Sequence, residues 1–95
     1  MAGISKTVVS LQPGKMEEVT KVIDSQAGLV TELKGMIGFA VAMTGKDEVT
    51  IIGVYDSSKD AEAASETVQK VFSEMAPFMA SPPERGVFSG VWFSS

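Results

Sequence analysis

Three side chains in this 95-residue sequence carry donors that a small ligand could use: Tyr55, Trp92 and Arg85. A tyrosine hydroxyl or an indole N–H can hydrogen-bond a ligand oxygen while its ring forms an apolar wall. An arginine can clamp a carboxylate or a phenolate. Each residue also has a plainer reading. Tyr55 ends a strand-like run, where its hydroxyl would reach water. Trp92 could pack in a core or an interface. Arg85, two residues after Pro82-Pro83, could form a surface or inter-subunit ion pair. Asp24 and Asp56 read as a solvated and a capping carboxylate. Of the six methionines, Met16, Met43, Met75 and Met79 stand at expected inward positions and read as adaptable core filling. No residue can be assigned a catalytic role, because no paired carboxylates, phosphate loop, serine elbow or metal-ligand spacing is visible.

The composition narrows the chemistry further. The chain has no histidine and no cysteine. Disulfides, zinc sites of the usual kind, thiol nucleophiles, imidazole bases and histidine-ligated haem are therefore excluded, and no metal or cofactor is expected. A net charge of −4 argues against nucleic acid or an anionic membrane as partner. The longest uncharged run, Gly35 to Gly45, is far short of the roughly 20 residues that span a bilayer. The start, Met-Ala-Gly-Ile-Ser, lacks the basic and apolar regions of a signal peptide, so a cytoplasmic location is the default expectation.

The elements that must position these residues follow from periodicity. Ile4 to Leu11 reads as a first strand, with Val9 and Leu11 as its clearest inward pair. Pro13-Gly14 breaks it. Met16, Val19, Val22, Ile23, Leu29, Val30 and Leu33 then recur at three- and four-residue steps and form one helical stripe. Gly28 falls inside that helix and is expected either to pack closely on a neighbour or to bend the helix and open a pocket. Gly35 suits the residue just past the helix end. Phe39 to Thr44 is a second strand, and Gly45-Lys46-Asp47-Glu48 is a hairpin-length turn. Val49 to Tyr55 is a third strand, β-branched or aromatic at all but Gly53. Ser57-x-x-Asp60 approximates a capping box for a second helix, whose stripe is Ala61, Ala64, Val68, Val71, Phe72 and Met75. Pro77 should end it. Val87 to Phe93 reads as the last strand, with Phe88 and Trp92 on one face.

The order is β-α-β-β-α-β over a single domain, residues 1–95: an α+β, ferredoxin-like antiparallel sheet with two helices on one face. Yet the later strands are apolar on both faces. A lone chain would leave one apolar sheet face in water, so a homodimer packed sheet to sheet is expected.

With these elements placed, the sequence resembles the dimeric α+β barrel superfamily, and within it the antibiotic-biosynthesis-monooxygenase-like domains. The resemblance covers nearly the whole chain. It rests on Pro13-Gly14-Lys15 before the first helix, Gly35 to Phe39 before the second strand, and Gly53-Val54-Tyr55-Asp56-Ser57 before the second helix. Such domains often carry a Tyr-Glu-x-Trp-Glu-Ser-like segment there, and Tyr55 and Asp56 stand where many have Trp and Glu. Many also carry a histidine in the second helix, which haem-degrading relatives use as ligand. Ala64 is the nearest counterpart here, which weighs against that activity. What the resemblance implies instead is cofactor-independent oxygenation of a small aromatic or quinol-type compound, in an apolar pocket with donors for its oxyanion. Tyr55, Trp92 and Arg85 could supply those donors. The alternative is a non-catalytic dimer of the same fold that holds a small apolar or aromatic ligand, or that serves structure alone. Any cavity should lie between helices and sheet, beside Gly28, Ala61, Ala64, Met16 and Met75.

Overall fold

A computed structural model describes residues 1–95. Four strands form one antiparallel sheet in the order β2-β3-β1-β4: β1 (Ala2–Ser10), β2 (Met36–Gly45), β3 (Glu48–Tyr55) and β4 (Glu84–Gly90). Helix α1 (Met16–Thr31) joins β1 to β2. The segments α2 (Ser58–Ala63) and α3 (Ser65–Met75) join β3 to β4. This is the ferredoxin-like order expected from the sequence. Two central strands pair along their length, with Ser5 opposite Gly53 and Thr7 opposite Ile51, and β4 flanks β1 with Arg85 opposite Thr7.

The turns are set where the chemistry requires them. Gly14 and Gly35 adopt φ of 78° and 76°, a region that favours glycine. At Gly35 a side chain would also meet the carboxylate of Asp60, so that turn and the second helical region are packed together. Ser57 caps α2, its hydroxyl oxygen accepting from the Asp60 N–H at 3.1 Å. The helix beyond is not continuous. It breaks at Ala64, and α3 ends at Met75, where Ala76-Pro77-Phe78 forms a single 3-10 turn.

Alternation along the strands separates two faces. On β1, Gly3, Ser5, Thr7 and Val9 are buried beneath the helices. Val9, Leu11, Val19, Val49, Val71, Phe72 and Met75 form the larger core cluster. Tyr55, Ala61 and Ala64 form a smaller one, with Leu33, Met36, Val68 and Val87 against it. The other face presents Ile4, Val8, Ile52, Val54 and Phe88, and no helix covers it. It is not wholly apolar. Lys6 stands in its middle beside Ile52 and Gly86, and Glu84 lies beside Val8.

Several sequence-based expectations need correction. The last strand stops at Gly90 instead of Phe93. Gly90 pairs with Ala2, the first residue of β1, so β4 has no partner strand to follow further. Val91 and Phe93 are consequently exposed. Within the expected stripe of α1, Leu29 turns outward. Gly28 packs against nothing: a side chain there would meet open space. Met43, expected inward, is also exposed, near the hairpin end of an edge strand.

Candidate functional site

A small cavity of about 50 Å³ lies between the sheet and the helices. Its floor is the inward row of the sheet: Ser5 and Thr7 on β1, Ile51, Gly53 and Tyr55 on β3, Met36 and Phe39 on β2, and Arg85 on β4. Its roof is Ile23, Gln26 and Val30 of α1 with Val68, Val71 and Phe72 of α3. The position is the one expected from the sequence. The lining is not: Gly28, Ala61, Ala64, Met16 and Met75 are absent from it. Met75, Ala61 and Ala64 are consumed in core contacts, which is why they leave no space.

Tyr55 is buried, with 1% of its surface exposed. Its ring leans over Gly53: a β-carbon built on Gly53 would sit 3.1 Å from the ring and 2.6 Å from the Ser5 hydroxyl. Gly53 thus supplies the room that both groups occupy. Ser5 and Thr7 are 5% and 2% exposed. The hydroxyls of Ser5, Thr7 and Tyr55 bond to no other group of the chain. Only one fully buried side-chain polar atom lacks a partner, Oε2 of Glu18. All three residues line the cavity, whose accessible wall is almost wholly apolar.

Arg85 reaches up from β4 across the edge of the cavity. Its Nη1 donates to the Ser65 hydroxyl at 2.8 Å, and its Nη2 donates to the Ala61 carbonyl at 2.9 Å. Both acceptors are neutral and lie on either side of the helix break. The ion pair that the sequence allowed for Arg85 is not made within the chain, whose one salt bridge joins Lys21 to Glu17 on α1. Tyr55 packs in one cluster with Ala61, the residue whose carbonyl Arg85 holds. Tyr55 and Arg85 are the only titratable residues of the lining.

The structure thus brings Tyr55 and Arg85 together and leaves Trp92 out. Trp92 follows the end of β4, is 44% exposed, and is not part of the lining. Ser5, Thr7 and Gln26 were missed as lining residues. For the first two the signal was present: they share strand parity with Val9 and Leu11, so an inward Val9 puts Ser5 and Thr7 inward too. No group of three or more carboxylate, imidazole or thiol side chains that could hold a metal ion is present.

No protein-family model matches the chain, and no curated protein matches it significantly in sequence. Solved structures do match. A "putative antibiotic biosynthesis monooxygenase" from Nitrosomonas europaea superposes with a TM-score of 0.81 at 17% identity, over 99% of this chain and 94% of that one. SnoaB, a cofactor-independent oxygenase from Streptomyces nogalater, superposes with a TM-score of 0.78 at 10% identity, over 97% and 95%. The Rv0793 structure from Mycobacterium tuberculosis matches over 100% of both chains, with a TM-score of 0.78 at 10% identity. The chain has the fold of the antibiotic-biosynthesis-monooxygenase-like proteins. That is the resemblance read from its sequence. At these identities the likeness is one of backbone alone. No helix is long and apolar enough to cross a membrane.

Proposed function

We propose that this protein is a cofactor-independent, monooxygenase-like enzyme acting on a small aromatic compound of the phenol or quinol type. The observation that carries the reading is the presence of both Tyr55 and Arg85 in the lining of one apolar cavity. A phenolic oxygen placed there would meet the Tyr55 hydroxyl. If the ligand enters as its phenolate, the proton already lost to bulk water, the charge on that oxygen would be stabilised by N–H and O–H donors already held in place. The apolar walls would keep water from competing for those donors. A backbone shared with a cofactor-independent oxygenase supports the reading by analogy.

Size constrains the substrate. The cavity of about 50 Å³ is well below the roughly 300–1,000 Å³ of drug-sized ligand sites. A single ring is the largest group it could admit, and then only with movement of half-buried lining side chains such as Met36, Phe39 and Gln26. One feature favours the second reading, a non-catalytic binder of the same ligands: the lining holds no carboxylate or imidazole to take the phenolic proton.

Dioxygen uptake measured with a panel of single-ring quinols tests the enzyme. Uptake above the buffer rate, diminished in Tyr55→Phe, is the expected result. No uptake with any quinol, together with saturable ligand-induced shifts in an amide NMR spectrum, would leave the binding reading alone. The working unit proposed is a homodimer, formed through the uncovered sheet face.

A further inference from the structure

We propose that the cavity is built for a ligand that carries one negative charge, a small carboxylate held by Arg85 and Thr7. This rests on the cavity being a ligand site, as above, and adds the charge of the ligand. Arg85 is half-buried and has no acidic partner in the chain. A cation withdrawn from water is stabilised by hydrogen bonds and by a counter-charge, and here only the first is present. The neutral acceptors at Ser65 and Ala61 use two of the five guanidinium N–H groups, so three remain. A structural tie to a helix break would need those two donors but no charge.

The surroundings match a carboxylate. The β1–β4 register sets Arg85 directly beside Thr7, and same-face neighbours of this kind lie about 5 Å apart at their β-carbons. Thr7 and, two residues along the strand, Ser5 line the same space, and neither hydroxyl has a partner in the chain. Beyond them the walls are apolar, with Ile23, Ile51, Val68 and Phe72. Arg85, Thr7 and Ser5 therefore share one side of a cavity whose remaining wall suits hydrocarbon. A single cation balances a monoanion; a phosphate dianion would leave one charge uncompensated in a narrow apolar space. Guanidinium forks and hydroxyls are well matched to planar carboxylate oxygens.

Benzoate and its neutral isostere benzamide distinguish charge from shape. They are titrated into the full chain at neutral pH, with sodium chloride holding ionic strength constant, and followed by amide NMR shifts; phenol is titrated alongside. Benzoate is expected to shift the Ser5, Thr7 and Arg85 amides and to bind about 10-fold more tightly than benzamide, the advantage of one charge-assisted contact. Arg85→Gln should erase that preference. Should Arg85→Gln fail to fold, Thr7→Val should lower benzoate affinity more than benzamide affinity. Equal binding of benzoate and benzamide by the unaltered chain overturns the proposal. If phenol still binds, the ligand-cavity reading survives that outcome. No shift with any of the three compounds overturns both.

Discussion

Arg85 donates to the main-chain carbonyl of Ala61 at 2.9 Å, and so ties the β4 edge of the sheet to the point where the second helical region breaks. With its second bond, to Ser65, it holds the start of α3, a helix that roofs the cavity, against the end of α2. Arg85→Met should therefore destabilise the fold by about 2 kcal/mol, and Ser65→Ala by about 1 kcal/mol, since the first removes two charge-assisted bonds and the second removes one acceptor. Urea denaturation of the two variants measures this. Equal midpoints for Arg85→Met and the parent chain would show that neither bond matters.

Gly53 is the position where the cavity floor has least tolerance. Gly53→Ala places a methyl against the Ser5 hydroxyl and the Tyr55 ring. The expected cost is about 2 kcal/mol of overpacking. Adding Ser5→Ala removes one of the two obstructing groups, so the double variant should recover part of the loss. Additive destabilisation in the double variant would mean that the Ser5 contact is not the obstruction.

Tyr55→Phe should separate binding from folding. The Tyr55 hydroxyl bonds to no group of the chain, so its loss should change the thermal midpoint by little. The same change should weaken a phenolic ligand by about 1 kcal/mol, one hydrogen bond, read by calorimetric titration. A large fall in stability would reveal an internal partner for the hydroxyl.

The uncovered sheet face leads to an assembly expectation. Ile4, Val8, Ile52, Val54 and Phe88 would be poorly placed in water, Phe88 with 57% of its surface exposed. Light scattering at micromolar concentration should give about twice the 10.0 kDa chain mass. Ile52→Asp, which buries a charge at the centre of that face on pairing, should return the mass of one chain. A monomeric parent would end the dimer proposal.

Trp92 behaves differently from what its type suggests. A tryptophan in a core costs about 3 kcal/mol or more on truncation to alanine. Trp92 lies past the last strand and is 44% exposed, so Trp92→Ala should cost less than about 1 kcal/mol in the isolated chain. It is also a poor optical reporter for the cavity, and its emission should be that of a wet indole. A strongly blue-shifted emission maximum would place it in an apolar contact that one chain does not supply.

Much of the architecture could be read from residue order alone. The two helical stripes, the hairpin turn and the run from Val49 to Tyr55 are local patterns, and they specified the β-α-β-β-α-β order of elements and with it the ferredoxin-like class. The failures have a common origin. The end of β4 depends on where β1 begins, and the pairing of Gly90 with Ala2 is a long-range fact. The break at Ala64 accompanies the side chain of Arg85, 21 positions later in the numbering of the chain (85 − 64). Cavity position followed from the layers, but its lining did not. Small residues such as Ala61 and Ala64 let neighbours close in instead of leaving space, while the polar floor of Ser5 and Thr7 was legible only through the strand parity they share with Val9 and Leu11.

Strand β2 lies at the rim of the sheet and contains no charged residue from Met36 to Gly45. Register shifts between Met36 and Gly38, and between Met43 and Gly45, disturb its two ends but leave Phe39 to Ala42 regular. That middle stretch presents an open row of peptide groups to which a strand from another molecule could add. Crowded solutions of this protein should therefore lose clarity through growth of fibrous material, and Ala42→Lys, a charge on that rim, should raise the concentration at which clouding begins. An unchanged clouding threshold would locate the cause elsewhere on the surface.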